Sequence, residues 1–107
     1  MDKHIKTIAQ LNRLVHEPVR LQVMSYLATV DEADFLYLMN ELELTQGNLG
    51  SHMSKLEAEG YISVTKEFVA RRPRTSYRLT SDGKVAIKQY WRLLRSIANV
   101  TADTLDI

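Results

Sequence analysis

A chain of 107 residues, 45% of them hydrophobic, is predicted to form one domain (1–107) that is large enough to bury a core without disulfides or a structural metal. It contains no cysteine, which excludes thiol chemistry, disulfides and cysteine-ligated zinc. No apolar stretch approaches the roughly 18 residues of a membrane span, and the start MDKHIKTIAQ lacks the apolar segment of a signal peptide. We therefore expect a cytoplasmic protein without a membrane partner.

The formal net charge of +1 conceals an asymmetry along the chain. Residues 1–60 hold five Lys and Arg against nine Asp and Glu, a net charge of −4, whereas residues 61–95 hold nine against two, a net charge of +7. A basic block next to an acidic one favours an anionic partner for the basic part. On charge alone, a chance cluster of cations on a solvated surface remains the alternative.

The first third of the chain predicts three helices. Apolar residues at helical spacing predict the first over residues 5–15, and Pro18 favours the start of a second that runs to about Ala28. A weak strand signal lies around residues 33–35. A third helix is predicted over roughly 36–43, with Asp34 as the nearest capping residue.

The stretch Thr45–Gly60 predicts a helix with two contrasting sides. Leu49, Met53 and Leu56 form an apolar stripe, and Thr45 and Gly60 suit the two helix ends. The opposite side holds small residues, namely Gly47, Ser51, Ser54 and Ala58. Because this side is small, polar and nearly free of acids, it suits close approach to an anionic groove, and we interpret it as a recognition helix (45–59).

After Gly60 the apolar period changes from 3.6 to 2. Ile62, Val64 and Phe68 predict the inward positions of one antiparallel strand, and Tyr77 and Leu79 those of a second. Residues 70–75 are expected to form the hairpin tip, with three arginines around a proline. Thr80 should cap a last helix that runs to about residue 100, with a frayed tail beyond it.

This order of elements predicts an α+β, mainly α fold: a winged helix-turn-helix with a two- or three-stranded antiparallel wing and flanking terminal helices. The residues also resemble the MarR/ArsR-like winged-helix transcriptional regulators, above all the short winged-helix DNA-binding domains. The resemblance covers about residues 10–90 and has two motifs, Leu44-Thr45-x-Gly47-Asn48-Leu49-x-x-His52-x-x-x-Leu56-Glu57-x-x-Gly60-Tyr61 and Arg72-Pro73-Arg74-Thr75-x-Tyr77-x-Leu79-Thr80-x-x-Gly83. Leu36 and Gly50 depart from the family pattern. The resemblance implies a homodimer that binds a roughly palindromic operator.

The residues themselves predict how a duplex would be bound. A helix enters the major groove when its outward side chains are short or can hydrogen-bond base edges. The helix candidates are Thr45, Gln46, Gly47, Asn48, Ser51, His52 and Lys55. The wing candidates are Arg71, Arg72, Arg74 and Thr75. We expect the arginines to have no acidic partner nearby except Glu67, and arginine suits phosphate or a narrow minor groove. The alternative for each single position is an idle surface residue.

Metal binding and catalysis find little support in the sequence. His4, His16 and His52 share no i, i+3 or i+4 spacing, and no thiolates are available to join them. No phosphate-binding glycine loop, paired-carboxylate signature or nucleophile elbow is present. We therefore predict no enzyme activity, no metal and no cofactor, with a His/Asp metal site assembled across a dimer as the alternative.

Two questions of assembly remain open in the sequence. The outer helices predict a two-fold interface built from Ile5, Ile8, Trp91, Leu94 and Ala98, with completion of a monomer core as the alternative. Winged helices can also act as protein–protein adaptor modules without DNA binding. The basic wing and the absence of large apolar residues on the outward helix side favour DNA.

Overall fold

The computed structural model describes residues 9–105, which contain four helices and a three-stranded sheet. The helices are α1 (Pro18–Leu27), α2 (Phe35–Glu41), α3 (Gln46–Ala58) and α4 (Ser81–Leu105). The strands are β1 (Ala33–Asp34), β2 (Ile62–Val69) and β3 (Arg72–Leu79). The predicted winged helix-turn-helix is confirmed, including the weakly signalled short strand.

The first predicted helix is wrong beyond residue 9, and Ile5 and Ile8 lie outside the described residues. Residues 10–17 form turns and bends instead of continuing a helix. The carboxamide oxygen of Asn12 accepts hydrogen bonds from the backbone N–H groups of Leu14, at 3.0 Å, and Val15, at 3.2 Å. Such side-chain bonding competes with the helical backbone pattern, which the apolar spacing of this segment could not reveal.

Side chains cap all four helices at their N-termini. Thr45 Oγ1 accepts from Asn48 N at 3.1 Å, Asp34 Oδ2 from Tyr37 N at 3.1 Å, and Thr80 Oγ1 from Gly83 N at 3.0 Å. These three caps were predicted. Glu17, which accepts from Arg20 N at 2.7 Å, was not predicted as a cap. Each interaction satisfies an amide that the first helical turn leaves without a partner.

The last helix is longer than predicted, because α4 continues to Leu105 instead of fraying after residue 100. No glycine or proline follows Gly83 to stop it. The hydroxyls of Thr101 and Thr104 donate hydrogen bonds to the backbone carbonyls four residues earlier, at 3.0 and 2.9 Å. With 25 residues and a length of about 37 Å, α4 spans much of the long dimension of a molecule measuring 57 × 25 × 22 Å.

The sheet is antiparallel with strand order β1-β3-β2, and its hairpin turn is shorter than predicted. Only Ala70 and Arg71 connect β2 and β3, and both have positive φ, +51° and +66°. A two-residue turn of this kind matches the twist of the paired strands. Arg72, Arg74 and Thr75 therefore belong to β3. Pro73 is tolerated because β1 pairs only with Ser76 and Tyr77, which leaves β3 without a second partner strand at Pro73.

The core lies between α1, α3, the start of α4 and the base of the sheet. Leu49, Met53 and Leu56 are buried, as predicted, together with Ile62 and Tyr77. The prediction that Phe68 faces inward to the core is wrong, since 77% of it is exposed. The alternation itself is correct, but the hairpin extends beyond the helices that would cover its outer half.

Candidate nucleic-acid interface

The outward side of α3 is open along its length. Gln46, Gly47, Asn48, Ser51, Ser54 and Lys55 are all exposed, while the apolar stripe opposite them is buried. Of the seven predicted helix candidates, His52 alone is half-buried. Thr45 is exposed, but its hydroxyl is engaged as the cap of α3. The surface can thus admit a close partner at its small residues and offer hydrogen bonds from its amide and hydroxyl groups.

A groove of about 540 Å³ separates α3 from the wing. One wall consists of Gln46, Gly47, Gly50 and Ser54 from α3, and the other includes Lys66 and Thr75 from the wing. Phe35, Met53, Val64 and Tyr77 form apolar parts of the lining, and Glu57 lies on the α3 side. Recognition helix and wing therefore border one continuous surface, and Thr75 lies within it.

The register of the hairpin assigns every wing side chain to one of two faces. Direct cross-strand partners include Val64 with Tyr77, Lys66 with Thr75, and Phe68 with Pro73. Because directly paired residues share a face and neighbours in a strand alternate, these six side chains belong to the face that lines the groove. We call it the groove face. The outer face carries the intervening residues Ser63, Thr65, Glu67, Val69, Arg72, Arg74, Ser76 and Arg78.

Arg74 is surrounded by carboxylates on the outer face. Its guanidinium lies 3.4 Å from Glu32 Oε1, 3.4 Å from Glu67 Oε1 and 3.6 Å from Asp34 Oδ1. Arg78 lies 3.5 Å from Glu32 Oε2. The expectation that the wing arginines have no acidic partner except Glu67 is therefore wrong for Arg74, because Glu32 and Asp34 approach from the chain before α2. Partly exposed pairs of this kind contribute little stability each, but together they fix the orientation of the side chain.

His52 connects α3 to the start of α1. Its Nδ1 lies 2.9 Å from Arg20 Nη1, and its Nε2 lies 3.7 Å from Glu17 Oε2. Because a guanidinium only donates, Nδ1 must accept, which assigns the ring proton to Nε2 on the side of Glu17. Arg20 also donates from Nε to the carbonyl of Leu14 at 2.6 Å. These contacts give His52 a structural role, and its contact with DNA stays a prediction.

Tyr77 lies under the groove as a neutral phenol. Burial raises its pKa, and the negative charges of Glu57 and Asp34 raise it further. Only 5% of the residue is exposed. Its apolar ring therefore serves as a floor for the groove, and it adds no negative charge to a surface that an anion would approach.

The predicted dimerisation residues on α4 lie at different depths. Trp91 is 41% exposed and donates from Nε1 to Ser25 Oγ at 3.1 Å, Leu94 is partly buried against the core, and Ala98 is exposed. Trp91 also packs edge-on against Tyr90. The tryptophan is thus anchored to its own chain and still presents apolar surface.

Sequence reasoning missed three participants at this surface. Lys66 lines the groove, Glu32 holds Arg74, and Arg20 holds His52. Counting alternate positions from Ile62 would have assigned Lys66 to the same face as Val64. No local pattern would have found Glu32 or Arg20, because their partners lie 42 and 32 residues away. Among residues 9–105, no group of three metal-ligating side chains converges, and no helix is long and apolar enough to cross a membrane.

Comparison with known proteins identifies relatives of this chain. Residues 19–98 match the family model described as "Winged helix DNA-binding domain". An uncharacterised protein of Methanocaldococcus jannaschii is 32% identical over 89 residues, covering 82% of this chain and 97% of its own. A structure of a transcriptional regulator homologue from Pyrococcus horikoshii has 33% identity and a TM-score of 0.75, covering 98% of this chain and 99% of that one. HlyU from Vibrio cholerae has 28% identity and a TM-score of 0.63, covering 87% and 97%.

Proposed function

The chain belongs to the winged helix DNA-binding domain family, whose members and structural relatives include transcriptional regulators, and from this premise we propose that it regulates transcription by binding a specific duplex sequence. In this proposal α3 enters the major groove and the wing contacts the adjacent backbone or minor groove. The chemistry required of the chain is recognition, and no catalytic step is involved.

The observation that carries the proposal is the groove shared by α3 and the wing. One wall is formed by Gln46, Gly47, Gly50 and Ser54 and the other by Lys66 and Thr75, and the two walls belong to elements that a duplex could contact at the same time. A major groove about 12 Å wide admits one helix, and the neighbouring phosphate strand then passes beside it. A helix and a hairpin on opposite sides of the molecule could not share one duplex in this way.

Each side chain has a proposed task within this geometry. Asn48 and Gln46 offer amides that can pair with the edge of adenine, and Lys55 can pair with guanine or phosphate. Gly47 and Ser51 have no side chain or a short one, so that the bases can approach the helix closely. Arg71 in the hairpin turn and Arg72 next to it are both exposed and can reach phosphates.

We also propose a homodimer in which the two copies meet through α4. Trp91 and Ala98 on that helix are exposed, and α4 extends far along the molecule. Two recognition helices spaced by one turn of the DNA duplex, about 34 Å, would discriminate between duplex sequences more strongly than a single helix. Sedimentation at micromolar concentration should give the mass of two chains, and Trp91→Ser should shift it toward one. A single-chain mass for the unaltered protein would refute the dimer.

Selection of bound sequences from a random duplex pool, followed by affinity measurements on variants, tests the proposal. We expect the selected duplex to be bound at least about a thousandfold tighter than a scrambled one. Asn48→Ala should reduce that ratio by the 1–3 kcal/mol of a lost base contact, about 5- to 150-fold. Asn40→Ala, at an exposed asparagine on α2, is the matched control and should leave the ratio unchanged. Equal affinity for both duplexes, or binding insensitive to salt, would refute the proposal and favour an adaptor module.

A further inference from the structure

The hairpin register separates two groups of wing residues that the sequence alone would treat as one basic tip. We propose that, apart from Arg71 and Arg72 at its tip, the wing contacts the duplex with its groove face, through Lys66 and Phe68, whereas Arg74 serves to hold the wing in position. This inference rests on the proposed function and specifies which side chains below the hairpin turn carry it.

Lys66 satisfies the requirements of a phosphate contact. It lines the groove opposite Gln46 and Gly47, and its direct cross-strand partner Thr75 lines the groove beside it. It is exposed, and no ion pair engages it within the described part of the chain. A lysine and a threonine hydroxyl side by side can respectively neutralise and hydrogen-bond a phosphate of the strand that passes between α3 and the wing.

Phe68 supplies the apolar part of the same face. At 77% exposure it is the most exposed large hydrophobic residue of the described chain, and its direct cross-strand partner is Pro73. The Phe68–Pro73 pair is the next pair on this face after Lys66–Thr75, two residues farther along each strand, and it forms an apolar patch at the distal end of the groove face. Apolar side chains at such a place pack on deoxyribose and base edges in the minor groove, next to a phosphate contact.

Arg74 has the opposite surroundings. Three carboxylates lie within 3.6 Å of its guanidinium, and two of them, Glu32 and Asp34, come from outside the wing. Among the described residues, moving this side chain to a phosphate would leave Asp34 and Glu67 without a paired cation and close to an anion, while Glu32 would keep only Arg78. Because Glu32 and Asp34 belong to the segment around β1, their pairing with Arg74 ties the hairpin to the body of the molecule.

The two faces provide matched pairs of variants, tested on the selected duplex as a function of salt. Lys66→Gln should reduce the slope of log affinity against log salt by about one, the value for one lost phosphate contact, whereas Arg74→Gln should leave the slope unchanged. Phe68→Ala should lower affinity about tenfold without changing the slope, whereas Val69→Ala, a 50% exposed neighbour on the outer face, should have no more than a small effect.

Hydroxyl-radical cleavage of the bound duplex adds a positional readout. The unaltered protein should protect minor-groove sugars beside the recognised bases, and Phe68→Ala should lose this protection while Val69→Ala keeps it.

The reversed pattern, in which Arg74→Gln lowers the slope and Lys66→Gln does not, would overturn the inference, as would equal effects of Phe68→Ala and Val69→Ala. Either result would leave the proposed function intact, because the unaltered protein would still bind the selected duplex. Failure of the unaltered protein to bind any duplex would instead refute the proposed function itself.

Discussion

Replacing Gly83 with alanine should destabilise the fold severely, although alanine is the better helix former. Gly83 lies in the first turn of α4, buried against the loop that follows α3. A methyl group at this position would overlap the carbonyl oxygen of Tyr61 and lie 2.8 Å from Leu79 Cδ1. The Tyr61 carbonyl cannot easily move aside, because it already accepts a hydrogen bond from Thr80 N at 3.0 Å.

The magnitude follows from the two groups that the methyl would displace. Forcing one extra carbon into a packed site costs about 1–3 kcal/mol, and disturbing the carbonyl hydrogen bond costs about 1 kcal/mol more. Helix propensity returns at most about 1 kcal/mol. We therefore expect a net loss of roughly 2 kcal/mol, which lowers the thermal midpoint of a domain of this size by about 10 °C.

Urea and thermal unfolding, followed by far-ultraviolet circular dichroism at one protein concentration, measure this loss. The control is Gly50→Ala, because Gly50 lies inside α3 with nothing within 4 Å of an added methyl. That variant should gain about 0.5–1 kcal/mol from helix propensity. If Gly83→Ala were as stable as the unaltered protein, α4 would have to move away from Tyr61 at no cost, and the packing argument would be wrong.

Three further predictions concern other contacts. Arg20→Lys should lower the free energy of unfolding by about 1–2 kcal/mol, because lysine cannot hydrogen-bond both Leu14 O and His52. Arg13→Lys, at an exposed arginine, is the control, and equal free energies of unfolding for the two variants would contradict this role of Arg20. Because the pKa of Tyr77 is raised in the folded state, its contribution to stability is fully present below about pH 10 and is lost as pH rises through the folded-state pKa. Tyr77→Phe should therefore flatten the decline of the free energy of unfolding at alkaline pH, measured by urea unfolding. An unchanged pH profile would argue against burial as the cause of the raised pKa. Asp34→Ala should cost about 1 kcal/mol through the lost cap of α2, whereas Asp34→Asn should retain most of it; thermal unfolding compares them, and equal losses would assign the effect to Arg74 rather than to the cap.

The course of the chain was largely predictable, because the signals that define its elements are local. The stripe of Leu49, Met53 and Leu56 repeats at the helical period, and a capping threonine precedes it, so the bounds of α3 were predicted within a residue or two. The predicted end of α4 was wrong because an exposed helix can continue without any apolar signal. The predicted helix over residues 5–15 is wrong from residue 10 onward, because the hydrogen bonds that Asn12 accepts form a turn that the apolar period does not reveal.

By itself, the sequence determined where most of the elements lie, which helix has a side of small polar residues, and where the cations cluster. All of these follow from residue spacing within a few helical turns or one strand. Only the tertiary structure decided that the apolar face of the wing meets α3 across an open groove, because alternation assigns residues to a face but carries no information on which element lies beside it. The same holds for the partners of Arg74, since Glu32 lies 42 residues away and approaches it only when β1 joins the sheet. Alternation from Ile62 assigns Lys66 to the apolar face and Arg74 to the other face, but only packing shows that a groove opens beside Lys66 and that carboxylates surround Arg74.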